Sequence, residues 1–173
     1  MASEKRSNSA PASMTLHFSS WAHWKERTEL AGLQYPGVYA LAISDGDLAG
    51  AKFSWREDIV YVGMSNAKGG LKSRLKQFDN TIRGKRGHGG GHRVRFKHPD
   101  YSRLVPRLFV SVWPFKCDVN CAHPNDLRKM GAVAMAEYEC FARFAEKFGR
   151  VPEFNDKKRS PKKRRSEMND VSP

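Results

Sequence analysis

The sequence has no long apolar run and little cysteine. Nowhere do its 173 residues approach the roughly 18 consecutive apolar residues that a membrane-spanning helix requires. Residues 1–14, MASEKRSNSAPASM, lack the apolar centre of a signal peptide. We therefore expect a soluble cytoplasmic protein, associated with the nucleoid if it is bacterial, whose three cysteines are reduced thiols.

Acidic residues are also scarce. The chain has 18 Asp and Glu against 31 Lys and Arg, which gives a formal net charge of +13. Such an excess favours a polyanionic partner over a neutral small molecule, and nucleic acid is the first candidate. An anionic membrane surface would attract the same charge, although no segment is long and apolar enough to enter the bilayer.

Two motifs with well-defined chemistry are missing. The segment GMSNAKGGLKS does not match a phosphate-binding loop, because the residue five places after Gly63 is Lys68 where that loop needs glycine. Cys117, Cys121 and His123 have an irregular spacing for a zinc site, and no fourth ligand is defined. We expect incidental cysteines here, with a structural zinc ion as the alternative.

The remaining pattern is that of one α+β domain at residues 19–156, between disordered segments at 1–18 and 157–173. Three segments alternate as β-strands do and predict a small, mainly antiparallel sheet: 37–43, 58–63 and 108–113. Three others have the spacing and end residues of helices: 19–32, 71–78 and 125–149. The glycine-rich stretch 81–103 has no sustained period and predicts a long loop.

Positive charge is concentrated in a basic belt, residues 72–107, which contains eleven Lys or Arg and two acidic residues. This density suits a phosphate backbone. We predict DNA contacts, with RNA as an alternative ligand, from nine residues: Lys68, Lys72, Lys76, Arg83, Lys85, Arg86, His92, Arg93 and Arg95. A solvated loop whose charge only maintains solubility is the other interpretation. The basic tail, 157–173, has three alternative interpretations: a nucleic-acid arm, a localisation signal or a disordered end.

Several short motifs follow one another in order along the chain: Gly37-Val38-Tyr39, Tyr61-Val62-Gly63, Arg74, a Glu in the long helix, and Asn155. This order resembles the GIY-YIG nuclease family over residues 35–156. The resemblance implies an α+β fold with a mainly antiparallel sheet of about three strands flanked by helices. It also implies a metal-dependent endonuclease that hydrolyses DNA and leaves a 5′-phosphate and a 3′-hydroxyl. The alternative is a catalytically inactive nucleic-acid-binding protein that keeps the fold.

The resemblance assigns each of these residues a task in hydrolysis. Tyr39 would orient or deprotonate the attacking water, and Tyr61 would be hydrogen-bonded nearby. Arg74 would hold the scissile phosphate with its planar fork of donors. One glutamate would hold a single Mg²⁺ or Mn²⁺, and Asn155 would support the site by hydrogen bonding.

Two glutamates compete for the metal. Glu137 shares a helical face with Val133 and Phe141, which directs its carboxylate toward the core, whereas Glu139 aligns with Arg143. A buried carboxylate needs a reason, and metal binding is one. We predict Glu137 as the metal ligand and keep Glu139 as the alternative.

The chain departs from the family at Phe78. Relatives carry His or Tyr four residues after the arginine, as a helper to the water-activating tyrosine, and Phe cannot take a proton. We predict that a histidine of the glycine-rich stretch folds back to supply the missing group, and we assign this catalytic role to His88, with His92 as the other candidate. In the alternative, both are exposed loop histidines or phosphate contacts.

Overall fold

The computed structural model describes residues 14–157 as an α+β fold built on one four-stranded antiparallel sheet in the order β1-β4-β2-β3. The strands are β1 (Ala22–His23), β2 (Gly37–Ile43), β3 (Ile59–Ser65) and β4 (Leu108–Pro114). The α-helices are α1 (Gly70–Ile82), α2 (Gly89–Lys97), α3 (Tyr101–Leu104) and α4 (Pro124–Phe148). Short 3₁₀ helices occupy Trp24–Glu29, Val105–Arg107 and Glu153–Asn155. The predicted antiparallel sheet is confirmed, with one strand more than expected.

The sheet has an apolar cluster on each side because β2 alternates its side chains between the two faces. Tyr39 and Leu41 belong to the cluster that contains the apolar residues of α1, whereas Val38 and Ala40 belong to the cluster of α4. Every residue of β2 is buried. Tyr39 and Tyr61 therefore lie on the α1 side of the sheet, whereas Glu137 comes from α4 on the other side.

The predicted helix at 19–32 is wrong. That segment contains the two-residue strand β1 and the 3₁₀ helix Trp24–Glu29. Trp21 packs in the cluster of α4, whereas Trp24 packs in the cluster of α1, so the two indoles lie on opposite sides of the sheet. One face of an α-helix cannot deliver two side chains three residues apart to opposite clusters, and tertiary packing therefore overrides the local pattern.

The predicted loop at 81–103 is also wrong, because it contains the helices α2 and α3. His88 caps α2, since its Nδ1 accepts a hydrogen bond from the Gly91 N–H at 3.1 Å. A Cβ at Gly90 would overlap the ring of Tyr61, and one at Gly91 would come within 3.0 Å of Thr81. The glycines thus let α2 pack directly on β3 and α1.

The predicted helices at 71–78 and 125–149 are confirmed as α1 and α4, and α1 is longer than expected. Helix α4 runs for 25 residues and ends at Gly149, whose φ of 68° is the left-handed conformation that favours glycine at a helix end. Across residues 14–157, no helix combines the length and the apolarity needed to cross a membrane.

Most of the two chain ends predicted to be disordered, including residues 158–173, lies outside the described residues. The prediction is wrong for 14–18, where Leu16 and Phe18 pack against the cluster of α4. The Phe18 ring stacks on Phe53 with their centroids 4.1 Å apart.

Candidate active site

The pairing of β2 with β3 brings the two tyrosines together. Tyr39 lies opposite Gly63 and Leu41 lies opposite Tyr61, so the tyrosines are diagonal neighbours on one face with ring centroids 6.0 Å apart. A Cβ at Gly63 would lie 2.6 Å from the Tyr39 hydroxyl oxygen. Gly63 therefore leaves room for the phenol of Tyr39.

His88 reaches the same phenol from the start of α2. Its Nε2 lies 2.7 Å from the Tyr39 hydroxyl, and its backbone N–H donates to Thr81 Oγ1 at 3.1 Å. A neutral imidazole has one donor and one acceptor nitrogen, and Nδ1 is already the acceptor from Gly91. The hydrogen-bond network therefore assigns the hydrogen to Nε2, so that His88 donates to Tyr39.

This geometry bears on both interpretations of His88. The residue is buried, so the alternative of an exposed loop histidine is wrong for it. Its ring packs against Phe78 with centroids 5.2 Å apart, beside the side chain that stands where relatives carry His or Tyr. In this tautomer, however, His88 supplies a hydrogen to Tyr39 and does not take one. His92, one turn further along α2, is half-buried.

Burial governs the protonation of this cluster. It raises the pKa of Tyr39 well above that of an ordinary tyrosine, aided by nearby Tyr61 and opposed by Arg74. Burial also raises the pKa of Tyr61, again against the charge of Arg74. The pKa of His88 falls to about 3, first because of burial and then because of the cations Arg74 and Arg93. Near neutral pH the two phenols are protonated and the imidazole is neutral.

Arg74 extends from α1 into a surface groove of about 370 Å³ beside these rings. Its Nη1 donates to Gln77 Oε1 at 3.3 Å, whereas its buried Nε has no hydrogen-bond acceptor within residues 14–157. A buried donor without a partner is costly, and a ligand oxygen would relieve it. The groove is lined by Met64, Ser65, Asn66, Ala67, Ser73, Arg74 and Gln77.

Glu137, and not Glu139, is the carboxylate near this groove. Burial raises the pKa of Glu137, against the opposing influence of Arg74 and the backbone of Met64 on β3. Glu139 instead accepts a hydrogen bond from Arg143 at 2.7 Å, one turn along α4. Glu137 is therefore the glutamate that lies near Arg74, and its role as the metal ligand stays a prediction.

A single divalent cation fits Glu137 by the chemistry of its donors. Within the described part of the chain, no three His, Cys, Asp or Glu side chains are grouped to hold a metal. One carboxylate, completed by water and phosphate oxygens, is nonetheless the ligand set that Mg²⁺ prefers. A cation would also offset the burial that disfavours the charged form of this carboxylate.

Asn155 supports the site through the backbone of β3. Its side-chain amide donates to the Val62 carbonyl at 2.7 Å, and its Oδ1 accepts from the Val62 N–H at 2.8 Å. The backbone N–H and carbonyl of Val62 point away from β2. Asn155 therefore takes the place of a neighbouring strand at the free edge of β3. Val62 lies between Tyr61 and Gly63 in sequence, so these two hydrogen bonds also hold both motif residues in register.

The predicted DNA-contacting residues differ in accessibility. Seven of them are exposed: Lys68, Lys72, Lys76, Arg83, Lys85, Arg86 and Arg95. Arg83 also pairs with Asp79 at 2.8 Å and stacks on Tyr101. Arg93 is almost completely buried, which contradicts its expected place on an exposed loop.

Asp79 and Thr81 are positioning residues that the sequence did not reveal. Asp79 accepts hydrogen bonds from Trp24 Nε1 at 2.9 Å and Tyr101 at 3.0 Å, besides its ion pairs with Arg27 and Arg83. Burial opposes ionisation of Asp79, but these donors outweigh it and lower the pKa. Asp79 could have been recognised in the sequence as an acidic residue within a basic helix. Asp79 joins α1 to the 3₁₀ helix Trp24–Glu29 and to α3, and Thr81 joins α1 to the start of α2.

Searches against protein-family models, curated proteins and solved structures find no match to this chain.

Proposed function

We propose that this protein is a GIY-YIG-type endonuclease that hydrolyses phosphodiester bonds in DNA with the help of one Mg²⁺ or Mn²⁺. The observation that carries the proposal is the convergence of five side chains from five elements in one cluster, beside the groove that Arg74 lines. These side chains are Tyr39 of β2, Tyr61 of β3, Arg74 of α1, His88 of α2 and Glu137 of α4. The products would be a 5′-phosphate and a 3′-hydroxyl.

Tyr39 orients the attacking water in this proposal. Its high pKa makes it a poor base, and its hydroxyl is fully buried, where it accepts a hydrogen bond from His88 and interacts with Arg74 and Tyr61. The water would reach this hydroxyl when bound substrate displaces one of these neighbours, and it would then donate a hydrogen to the phenol oxygen and turn its own lone pair toward phosphorus. Tyr61, the diagonal neighbour, keeps Tyr39 in place.

Arg74 and Glu137 serve the phosphate. Arg74 has a buried Nε without an acceptor, and two phosphate oxygens would match its planar donor fork as negative charge grows on them. Glu137 would hold the cation, which supplies a bound water of lowered pKa and neutralises charge on the phosphoryl group.

The basic belt provides affinity for the nucleic-acid backbone. The exposed Lys72 and Lys76 lie on α1, the helix that carries Arg74, and their charge suits the flanking phosphates.

The second candidate function is nucleic-acid binding without cleavage. One observation favours it: neither Phe78 nor His88 can accept the proton of Tyr39, because Phe78 has no acceptor and both nitrogens of His88 are engaged. A protein of this kind would bind DNA through the same belt and leave it intact.

A plasmid-nicking assay with Mg²⁺ or Mn²⁺ separates the two functions. We expect the parent to nick, and Arg74→Ala, Arg74→Lys and Glu137→Ala each to lose at least about a hundredfold in rate. Glu139→Ala removes a matched carboxylate from the same helix and is expected to nick like the parent. Cleavage that survives in both Arg74→Ala and Glu137→Ala would overturn the site. Absence of nicking in a folded, DNA-binding parent would support the second function.

A further inference from the structure

Arg93 is a buried cation in the middle of α2. Its residue surface is only 6% exposed, and its Nε donates to the Phe154 carbonyl at 2.7 Å. Burial lowers the pKa of Arg93, although a guanidinium remains protonated near neutral pH. Its neighbour Arg95 lies on the same helix and is exposed, as expected for an ordinary surface arginine.

Arg93 has no neutralising anion within the described part of the chain. Among residues 14–157, no Asp or Glu forms an ion pair with it, although Arg27, Arg83 and Arg143 each have a carboxylate partner. Its two Nη atoms have no acceptor in the described chain, and neither is completely enclosed. A cation removed from water without a counter-charge is strongly unfavourable, so burial of this arginine without a partner calls for an explanation.

The position of Arg93 supplies that explanation. It lies one turn after Gly90, which contacts the Tyr61 ring, so both residues are on the face of α2 that packs toward β3. Its charge acts on Tyr61 and on His88, and the charge of Arg74 acts on the same two rings. Two guanidinium groups from two helices therefore flank one pair of rings.

We propose that Arg93 binds a second phosphate of the nucleic-acid backbone, adjacent to the phosphate that Arg74 contacts. This deepens the proposed function, on which it rests for the identity of the ligand. Phe154 fixes Nε while the charge of Arg93 acts on the ring cluster, which leaves the two Nη groups as donors for phosphate oxygens. The phosphate supplies the missing counter-charge, and the nucleic acid is thereby aligned along Tyr61 before reaction.

Binding of a short DNA duplex without divalent metal, followed by fluorescence anisotropy over a range of salt concentrations, tests the proposal without any requirement for cleavage. Arg93→Gln and Arg95→Gln remove equal charge from the same helix and differ in burial. We expect Arg93→Gln to weaken binding at least about tenfold and to reduce the salt slope by about one, and Arg95→Gln to weaken it only about two- to threefold. Equal weakening by both variants would overturn the proposal, because diffuse charge would then account for binding.

A second measurement covers the case in which Arg93→Gln fails to fold. In the unmutated protein, the Nε–H resonance of Arg93 is assigned by its disappearance in Arg93→Lys and followed by NMR as orthophosphate and then DNA are added. A saturable shift supports the proposal, and an unmoved resonance at saturating DNA overturns it. If the parent binds DNA but never nicks it, the nuclease proposal fails while these two readouts still decide the role of Arg93.

Discussion

Replacement of Asn155 tests whether one side chain holds the edge of the sheet at the candidate site. Asn155→Ala removes both hydrogen bonds to Val62, at 2.7 and 2.8 Å, which join residues 93 positions apart. Asn155→Asp keeps the acceptor for the Val62 N–H but sets a second oxygen against the Val62 carbonyl. The two variants therefore separate the loss of contacts from the introduction of repulsion.

The expected magnitude follows from the burial of Val62, which has no exposed surface. A hydrogen bond contributes about 1 kcal/mol net, and a buried group left without its partner costs about 1–3 kcal/mol. Asn155→Ala should therefore lower the free energy of unfolding by about 2–4 kcal/mol. Asn155→Asp should lower it by at least as much near pH 7, because a charged oxygen then faces a carbonyl oxygen.

The pH dependence of Asn155→Asp has a defined sign. The protonated carboxyl can donate to the Val62 carbonyl, so folding raises its pKa above the ordinary value of about 3.9. Stability from such a group is complete below the unfolded pKa and is lost as the pH rises through the folded pKa. The variant should therefore approach the parent near pH 4 and fall behind it toward pH 7.

Urea unfolding followed by tryptophan fluorescence measures these differences, because Trp21 and Trp24 are buried on opposite sides of the sheet. A deficit of Asn155→Ala below about 0.5 kcal/mol would refute the reasoning, since surface substitutions alone reach that size. So would a deficit of Asn155→Asp that stays constant across the pH range.

Three further predictions concern the surroundings of the site. Asp79→Asn should cost about 3 kcal/mol near neutral pH in chemical denaturation. Its deficit should shrink as the pH falls below about 4, because the lowered pKa of Asp79 contributes stability only while the carboxylate is ionised. Gly90→Ala should displace Tyr61 and abolish nicking, whereas Gly131→Ala, with nothing near its added Cβ, should raise thermal stability by up to about 1 kcal/mol. Because folding lowers the pKa of His88 from 6.5 to about 3, the parent should lose stability as the pH falls through that interval. His88→Asn should lose less over the same interval, as measured by its melting temperature.

The sequence pattern alone predicted those elements whose apolar residues recur with the period of a strand or of a helix. Strand β2 alternates strictly between the two clusters, and α4 keeps one apolar face over 25 residues, so the existence of both elements followed from the sequence. The diagonal contact between Tyr39 and Tyr61 also followed, because two adjacent antiparallel strands fix which residues share a face.

Pattern failed where a contact distant in sequence decides the structure. Helix α2 has no apolar period, and its position depends on the His88 cap and on the space that Gly90 leaves for Tyr61. Arg93 has the same local sequence character as Arg95, and only the packing of α2 on the 3₁₀ helix Glu153–Asn155 separates a buried cation from an exposed one. The spacing of residues in the sequence predicts neither the position of α2 nor the burial of Arg93.

Helix α2 begins with three consecutive glycines, and each costs about 1 kcal/mol of helical preference relative to alanine. Such a segment stays wound only while Tyr61 and Thr81 cover it. Local opening of α2 would withdraw both His88 and Arg93 from the tyrosines and leave the strands paired. We therefore expect this corner of the candidate site to open at a lower temperature than the paired strands of the sheet.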